Sequence, residues 1–224
     1  MSAVSNAFVL EPEAARLFSS YNIPYPEHGL ADNPKQACEI AERLGYPVVL
    51  KVVSPDVLHK SDVGGVLVGL DGPKRVSSGY KQIERQVRQA MPDARIHGML
   101  VCRQCNEGLE IIVGALQDLV FGPTVMVGLG GIFAEVFHDV SFRIAPLKRI
   151  DAEEMIMEMK GSPLLQEHRG RPARDVRSLA DLLLAVSQLV TEHSEITELD
   201  LNPVRLYEQG LQVLDIRLLR SVGS

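Results

Sequence analysis

One short segment constrains the fold of this chain more than any other. Residues 47–53, PVVLKVV, are β-branched and almost entirely apolar, which is typical of a strand in the buried centre of a sheet. Residues 74–90 form a charged, amphipathic pattern, which predicts a helix that covers one face of that sheet. A further helix is expected at 34–44, because Asn33 can cap its start and Gly45 can end it. The first half of the chain is therefore expected to alternate helices and strands.

Strand-like patterns dominate from residue 98 onward. One further strand is predicted before residue 98, at 66–70. The strands predicted after it are at 99–103, 109–116, 122–127, 132–140, 196–201, 204–207 and 211–218. Helical spacing predicts further helices at 13–20, 152–160 and 174–192. We therefore predict an α/β (α+β) protein of two mixed lobes with a ligand cleft between them. The small lobe is predicted to span 22–101, and the large lobe 1–21 plus 102–224.

The composition restricts the class of ligand. Hydrophobic residues make up 46% of the chain and charged residues 23%, which is ordinary for a globular protein. The net charge of −6 argues against a nucleic-acid or anionic-membrane surface, since either partner requires clustered Lys and Arg. Three cysteines, no visible signal peptide and no apolar run near the ~20 residues of a membrane span predict a cytoplasmic protein. Its ligands are expected to be small molecules or other proteins.

The segment from Lys51 to Gly65, KVVSPDVLHKSDVGG, is the most informative about chemistry. A lysine within an apolar strand directs its ammonium either to the solvent or towards an anion such as a nucleotide phosphate. His59 lies in a polar loop, where it is either an incidental surface residue or a phosphoryl acceptor. Gly64 and Gly65 either make a turn or let backbone N–H groups surround phosphate oxygens.

Two later segments carry candidate ligands. Glu135 follows the glycine cluster at 128–131 and shares a strand face with aromatic residues, where a carboxylate needs a partner. Asp200 and Asn202 project from one side of a strand, and a hairpin could bring Asp215 close to Asn202. Oxygen ligands of this kind suit Mg²⁺ when phosphates and water supply the rest. An ordinary strand end with an Asx-Pro turn explains the second pattern equally well.

Taken together, these segments resemble one family. VVLKVVSPDVLHKSDVGGV, VGLGGIFAEVFHDVSFRIAPL and ELDLNPVRL followed by VLDIRLL are similar to the ATP-grasp β part of ADP-forming acyl-CoA synthetases, over residues 11–219. The resemblance implies an ATP-grasp fold and the reversible reaction of acyl-CoA, ADP and phosphate to acid, CoA and ATP. It also implies that His59, on a mobile loop, carries phosphate from a CoA-binding partner to ADP.

The resemblance assigns the remaining site residues. It implies that the nucleotide is bound by Lys51, Gly64, Gly65, Cys102, Arg103 and Glu110. Of these, Lys51 matches the phosphate lysine and Glu110 the acidic residue that holds the ribose. Asn202 and Asp215 match the magnesium ligands, and ATP or ADP is the implied substrate. The hinge from Cys102 to Cys105 departs from the family, in which apolar or proline-containing sequence is usual, so the preference for adenine is less secure than binding itself.

The resemblance also implies a partner. We find no G-x-G-x-x-G pattern that opens a CoA-binding βαβ unit. The chain is therefore expected to be a separate β subunit, as in an α2β2 heterotetramer, or one end of a longer fused polypeptide. Two alternatives remain: an ATP-grasp carboxylate–amine ligase, which would not need His59, and a regulatory module of a larger CoA-linked protein.

Overall fold

Two antiparallel sheets organise the chain, of which the computed structural model describes residues 5–131, 139–167, 170 and 172–222. The strands are β1 (Ser5–Val9), β2 (His28–Ala31), β3 (Val48–Val53), β4 (Val66–Leu70), β5 (Gly98–Arg103), β6 (Leu109–Asp118), β7 (Gly122–Leu129), β8 (Val140–Ile144), β9 (Ile196–Leu206), β10 (Leu211–Val213) and β11 (Ile216–Val222). The helices are α1 (Glu11–Ser19), α2 (Pro34–Leu44), α3 (Pro73–Ala90), α4 (Arg149–Glu158) and α5 (Val176–Glu192), with a 3₁₀ turn at Ser162–Leu165.

These elements fall into two compact units. The smaller unit contains Leu10–Glu13 and Pro26–Asn106, and the larger unit contains the described residues within Met1–Val9, Ala14–Tyr25 and Glu107–Ser224. The smaller unit therefore receives the first turn of α1, which is distant in sequence from the rest of it. This turn carries one of the charged side chains of the site.

The smaller unit is built on a four-stranded sheet in the order β2-β5-β3-β4. The apolar side chains of β3 form its centre, since Val48, Leu50 and Val52 are fully buried. Helices α2 and α3 bury residues at helical spacing in the same core. The predicted caps of α2 are confirmed: the Asn33 side chain accepts a hydrogen bond from the Gln36 N–H at 3.0 Å, and the chain leaves the helix at Gly45.

The larger unit has a seven-stranded sheet within the described residues. Its order is β1-β11-β9-β6-β7-β8, with β10 paired to β9. One core contains the inward side chains of these strands and those of α4 and α5. None of the helices in the described ranges combines the length and the apolar character needed to cross a membrane.

Several predicted strand boundaries were wrong. The two strands expected on either side of Asn202 are the single strand β9, because a register shift against β6 absorbs the Asn-Pro step without ending the ladder. The strand expected at 211–218 divides into β10 and β11, which pair with different parts of β9. Strands β1 and β2 were not predicted. The strand expected at 132–140 lies almost entirely outside the described residues.

Candidate functional site

The Lys51 ammonium is buried in the smaller unit. Its Nζ donates a hydrogen bond to Glu11 Oε1 at 2.7 Å, and 8% of the Lys51 side chain is exposed. The ammonium of Lys60 lies 3.2 Å from the other oxygen of the same carboxylate, Glu11 Oε2. Buried charges need such partners, because removing an ion from water costs several kcal/mol unless an opposite charge compensates. Lys51 is therefore not a lysine that extends to the solvent.

Glu11 and Lys60 were missed as site residues. Glu11 belongs to the first turn of α1, where an acidic residue is common because it opposes the positive end of the helix dipole. Nothing local therefore distinguishes it from an ordinary helix start. Lys60 directly follows His59 in sequence, and its proximity to that histidine was the one available signal.

His59 is exposed, while residues on both sides of it are anchored. Val57 is 1% exposed and belongs to the core of the smaller unit, and Lys60 is 7% exposed. Asp56 accepts hydrogen bonds from Arg95, from Nε at 3.0 Å, from Nη2 at 2.7 Å and from the backbone N–H at 2.8 Å. The structure thus presents the imidazole to solvent from a segment that is held at each end.

The ion pair between Asp56 and Arg95 predicts how the loop responds to acid. Side-chain and backbone hydrogen bonds from Arg95 lower the pKa of Asp56 from 3.8 to about 2. Because the folded pKa is lowered, this pair stabilises the fold above pH 3.8, and the contribution is lost as the pH falls towards 2. We expect the Asp56 carboxyl carbon to show no NMR titration between pH 7 and 4. Arg95→Met should move its midpoint towards 3.8, and an unchanged midpoint would contradict this assignment.

The glycine pair at the end of this loop is tightly placed. The Gly65 N–H donates to the Lys60 carbonyl at 2.7 Å, and the Gly64 N–H donates to the Ser61 carbonyl at 3.1 Å. Gly64 has φ of 66°, a backbone conformation that favours glycine. Because both N–H groups donate within the loop, they could surround phosphate oxygens only after those bonds open.

Cys102 and Arg103 end strand β5. Cys102 is buried and Arg103 is exposed, with its N–H donating to the Glu27 carbonyl at 2.9 Å. Cys105 lies beyond the strand, because the neighbouring strand β3 begins at Val48, the residue paired with Arg103. None of the three cysteines, all within the described ranges, forms a disulfide.

In the larger unit, Glu110 lies on β6 beside the glycine cluster. Its carboxylate Oε1 is 3.3 Å from Arg205 Nη2 on β9, and its backbone carbonyl accepts a hydrogen bond from the Gly130 N–H at 2.7 Å. A Cβ atom on Gly130 would lie 3.0 Å from the Glu110 carbonyl carbon and oxygen. Glycine is thus required there because the two backbones are in contact.

We expect Gly130→Ala to destabilise the protein through this contact. The added methyl group must displace the Glu110 backbone, which should lower the free energy of unfolding by about 3 kcal/mol. Gly131→Ala is the matched control, since its Cβ would meet nothing within 4 Å and only its φ of 62° opposes the change. That control should cost about 1 kcal/mol. Urea denaturation measures both, and equal effects would contradict the backbone contact.

Asn202 and Asp215 are adjacent in the larger unit. The Asn202 N–H donates to the Asp215 carbonyl at 3.3 Å, where β9 passes the connection between β10 and β11. Asn202 is exposed and Asp215 half-buried. Asp200 is paired in register with Arg217 of β11. The structure therefore brings together the two residues expected to bind magnesium, and their amide and carboxylate oxygens are ligands that suit Mg²⁺.

Within the described part of the chain, no group of three or more His, Cys, Asp or Glu side chains is placed to hold a metal ion. Glu135, a predicted site residue, lies outside the described residues, as does the rest of segment 132–138.

The two antiparallel sheets with their helices are those of an ATP-grasp fold. The ATP-grasp domain family matches residues 2–219 of the chain. The chain therefore belongs to this family, and the fold class predicted from the sequence is confirmed.

Close relatives identify the branch of the family. The chain is 41% identical over 214 residues to subunit β of acetate–CoA ligase (ADP-forming) I from Pyrococcus furiosus, covering 96% of this chain and 92% of that subunit. It is 46% identical to acetate–CoA ligase (ADP-forming) I from Archaeoglobus fulgidus, again over 96% of this chain but only 31% of that protein. The chain thus belongs with the β subunits of ADP-forming acetate–CoA ligases, and it spans about a third of the fused relatives.

Solved structures agree with this assignment. Dinucleotide-forming acetyl-CoA synthetase 1 from Ca. Korarchaeum cryptofilum, in complex with coenzyme A, Ca-AMPCP and HgCl+, matches with a TM-score of 0.93 at 45% identity, covering 96% of this chain and 93% of that chain. Another structure of that synthetase, with coenzyme A and Mg-AMPPCP, has its phosphohistidine segment pointing towards the nucleotide binding site. It matches with a TM-score of 0.83 at 42% identity, with the same coverage.

Proposed function

We propose that the chain is the nucleotide-binding β part of an ADP-forming acyl-CoA synthetase, which acts together with a CoA-binding α subunit or domain. The reaction is acyl-CoA, ADP and phosphate to acid, CoA and ATP, and it runs in both directions. One observation carries the proposal: His59 is exposed between anchored residues, and the ammonium of the next residue, Lys60, shares the Glu11 carboxylate with Lys51. The proposed phosphoryl acceptor is thus next in sequence to a lysine that shares a carboxylate with the proposed phosphate-binding lysine.

The exposed imidazole is suited to carrying a phosphoryl group. In the direction of ATP consumption, an unprotonated ring nitrogen of His59 forms a bond to the γ-phosphorus as the bond to the β,γ-bridging oxygen breaks. ADP leaves with the electron pair of that bond, and no oxidant or additional proton is needed. The reverse step makes ATP. This chemistry depends on positioning and charge neutralisation, which charged side chains and the loop provide.

Four side chains are assigned to the nucleotide and its metal ion. We assign the phosphates to Lys51, the ribose to Glu110, and Mg²⁺ to Asn202 and Asp215, with phosphate and water completing its ligands. Bound Mg²⁺ neutralises phosphate charge and lowers the repulsion that an incoming nucleophile meets. Lys51 would exchange part of its contact with Glu11 for phosphate oxygens.

Further residues are assigned to the nucleotide and to the metal ion. Gly64 and Gly65 belong to the loop assigned to the phosphates, and the Gly64 N–H would contact them after it leaves its bond to the Ser61 carbonyl. Cys102 and Arg103 would border the base through backbone groups, since the Cys102 side chain is buried. Asp200 is a further proposed ligand near Asn202.

We propose that the partner supplies the CoA site and the acyl substrate. The β subunit from Pyrococcus furiosus matches this chain over nearly all of its length, whereas the Archaeoglobus fulgidus protein is about three times longer than the matched region. In an α2β2 heterotetramer, each of the two αβ pairs would contain one CoA site and one nucleotide site. A reducing cytoplasm suits the three cysteines, none of which is in a disulfide.

Labelled ATP tests the proposal. The chain, combined with its CoA-binding partner, is incubated with Mg-ATP labelled at the γ-phosphate, and the protein is digested and mapped. We expect a phosphate on His59 that is labile in acid and stable in base, and that disappears when ADP is added. No phosphate on His59 during turnover would contradict the proposal and favour a carboxylate–amine ligase. No binding of Mg-ADP at all would favour a regulatory module.

A further inference from the structure

We propose that Glu11 is a positioning residue for phosphoryl transfer, which docks the His59 loop through Lys60 and orients the Lys51 ammonium at the same time. This inference rests on the proposed function, in which His59 carries phosphate and Lys51 contacts the nucleotide. It adds Glu11, which is distant in sequence from both residues and would act through Lys51 and Lys60 without contacting phosphate itself.

The geometry of the carboxylate supports this role. Its two oxygens serve two different elements: Oε1 accepts from Lys51 on β3 at 2.7 Å, and Oε2 lies 3.2 Å from Lys60 Nζ in the loop. The side chains of Glu11, Lys51 and Lys60 are 2%, 8% and 6% exposed. Screening by water is weak at such positions, so each contact has a strong influence on where its lysine lies.

Backbone contacts transmit the position of Lys60 to its neighbours. The Lys60 carbonyl accepts from the Gly65 N–H at 2.7 Å, and the Gly65 carbonyl accepts from the Val52 N–H on β3 at 2.8 Å. A Cβ atom on Gly65 would lie 2.6 Å from the Val52 side chain and 2.8 Å from the Lys60 carbonyl oxygen. The main chain of Lys60 thus packs through Gly65 against β3, while its ammonium forms an ion pair with Glu11. His59, one residue earlier, takes its docked position from these two attachments.

A single carboxylate that serves two lysines couples their positions. While the loop is docked, Lys60 shares the Glu11 charge, and Lys51 is held less strongly. When the loop leaves, Glu11 attracts Lys51 more strongly, and the Lys51 ammonium becomes less available to phosphate. Loop docking and phosphate binding by Lys51 should therefore favour each other, since coupling of this kind is reciprocal. The loop would dock most firmly when a nucleotide is ready to give or accept phosphate.

Glu11→Gln tests the role because it keeps the shape of the side chain and removes its charge. Glu13→Gln is the matched control, on the same helical turn but exposed. We expect hydrogen exchange in segment 57–65 and tryptic cleavage after Lys60 to become faster in Glu11→Gln, on the order of tenfold or more, as loss of the buried ion pair between Lys60 and Glu11 implies. In single turnover with labelled Mg-ATP, phosphorylation of His59 should slow by about tenfold. Mg-ADP affinity should not weaken, because the Glu11 carboxylate no longer competes with phosphate for the Lys51 ammonium.

Lys60→Met provides a second variant, which keeps the pair between Glu11 and Lys51. It should also increase exchange in segment 57–65, and it should weaken Mg-ADP binding, because Glu11 then attracts Lys51 more strongly. Mg-ADP affinity that weakens in Lys60→Met but not in Glu11→Gln is not expected from a structural defect, which would weaken both.

The outcomes separate this inference from the proposed function. Unchanged exchange in segment 57–65 in both variants would overturn the role of Glu11, even if wild-type His59 takes phosphate. Faster exchange with unchanged single-turnover phosphorylation would likewise overturn it. A wild-type protein that takes no phosphate at His59 would overturn the proposed function, whatever the exchange data show.

Discussion

His59→Ala is expected to abolish net acyl-CoA synthesis, with turnover falling on the order of 10³-fold or more. Alanine offers no nucleophile, and no neighbouring side chain is an equivalent phosphoryl acceptor: Leu58 is apolar and Lys60 is buried against Glu11. The exposed position of His59 means that its removal leaves no cavity. The measurement is formation of acyl-CoA from acid, CoA and Mg-ATP by the chain with its CoA-binding partner.

Two controls make this prediction specific. Mg-ADP binding to His59→Ala, followed by calorimetry, should remain close to that of the wild type, because the imidazole carries phosphate and does not hold the nucleotide. His97→Ala removes another exposed imidazole from the smaller unit and should retain activity. Turnover near the wild-type rate in His59→Ala would show that no phosphohistidine at this position lies on the reaction path.

Asp215→Ala is expected to weaken magnesium-dependent ADP binding by about 10–100-fold. A carboxylate supplies negative charge to Mg²⁺, and the neighbouring amide of Asn202 cannot replace that charge. Calorimetric titrations with Mg-ADP, and with ADP in the presence of EDTA, measure the effect. The loss should be confined to the titration that contains magnesium, so that the two proteins bind metal-free ADP alike.

Glu208→Ala is the matched control for charge. Glu208 is an exposed acidic residue in the turn between β9 and β10, so its removal changes the net charge of the larger unit by the same amount. It should leave Mg-ADP affinity unchanged. Equal weakening in the two variants would indicate a long-range charge effect and would remove Asp215 from the proposed metal site.

Much of the smaller unit was predictable from local sequence. The β-branched run of β3, the following strand β4, the capped helix α2 and the amphipathic helix α3 all lie at or within a residue or two of their predicted bounds. These elements depend on neighbours within one or two turns, or on alternation along one strand. Physical preferences of this range can be read directly from a sequence.

The strands that were missed depend on distant partners. Strand β1 pairs antiparallel with β11, at the other end of the chain, and β2 pairs with β5. Short segments such as His28–Ala31 have no pronounced alternation of their own, so their conformation is set by the strand to which they bond. The Asn-Pro step in β9 misled the prediction for a similar reason, because the ladder with β6 continues past a residue that usually ends a strand.

The candidate site likewise combines residues that local motifs indicate with contacts that depend on distant parts of the chain. Its motifs indicated Lys51, His59, Glu110, Asn202 and Asp215, and the roles of these residues stay predictions until they are tested. The sequence by itself determined the local elements and the family, because capping, periodicity and long ordered motifs are properties of neighbouring residues. The tertiary structure alone decided that Glu11 meets Lys51 and Lys60. The chain has 29 acidic residues, and an ion pair between residues forty positions apart depends on which side chains the packed core brings together, which no local pattern records.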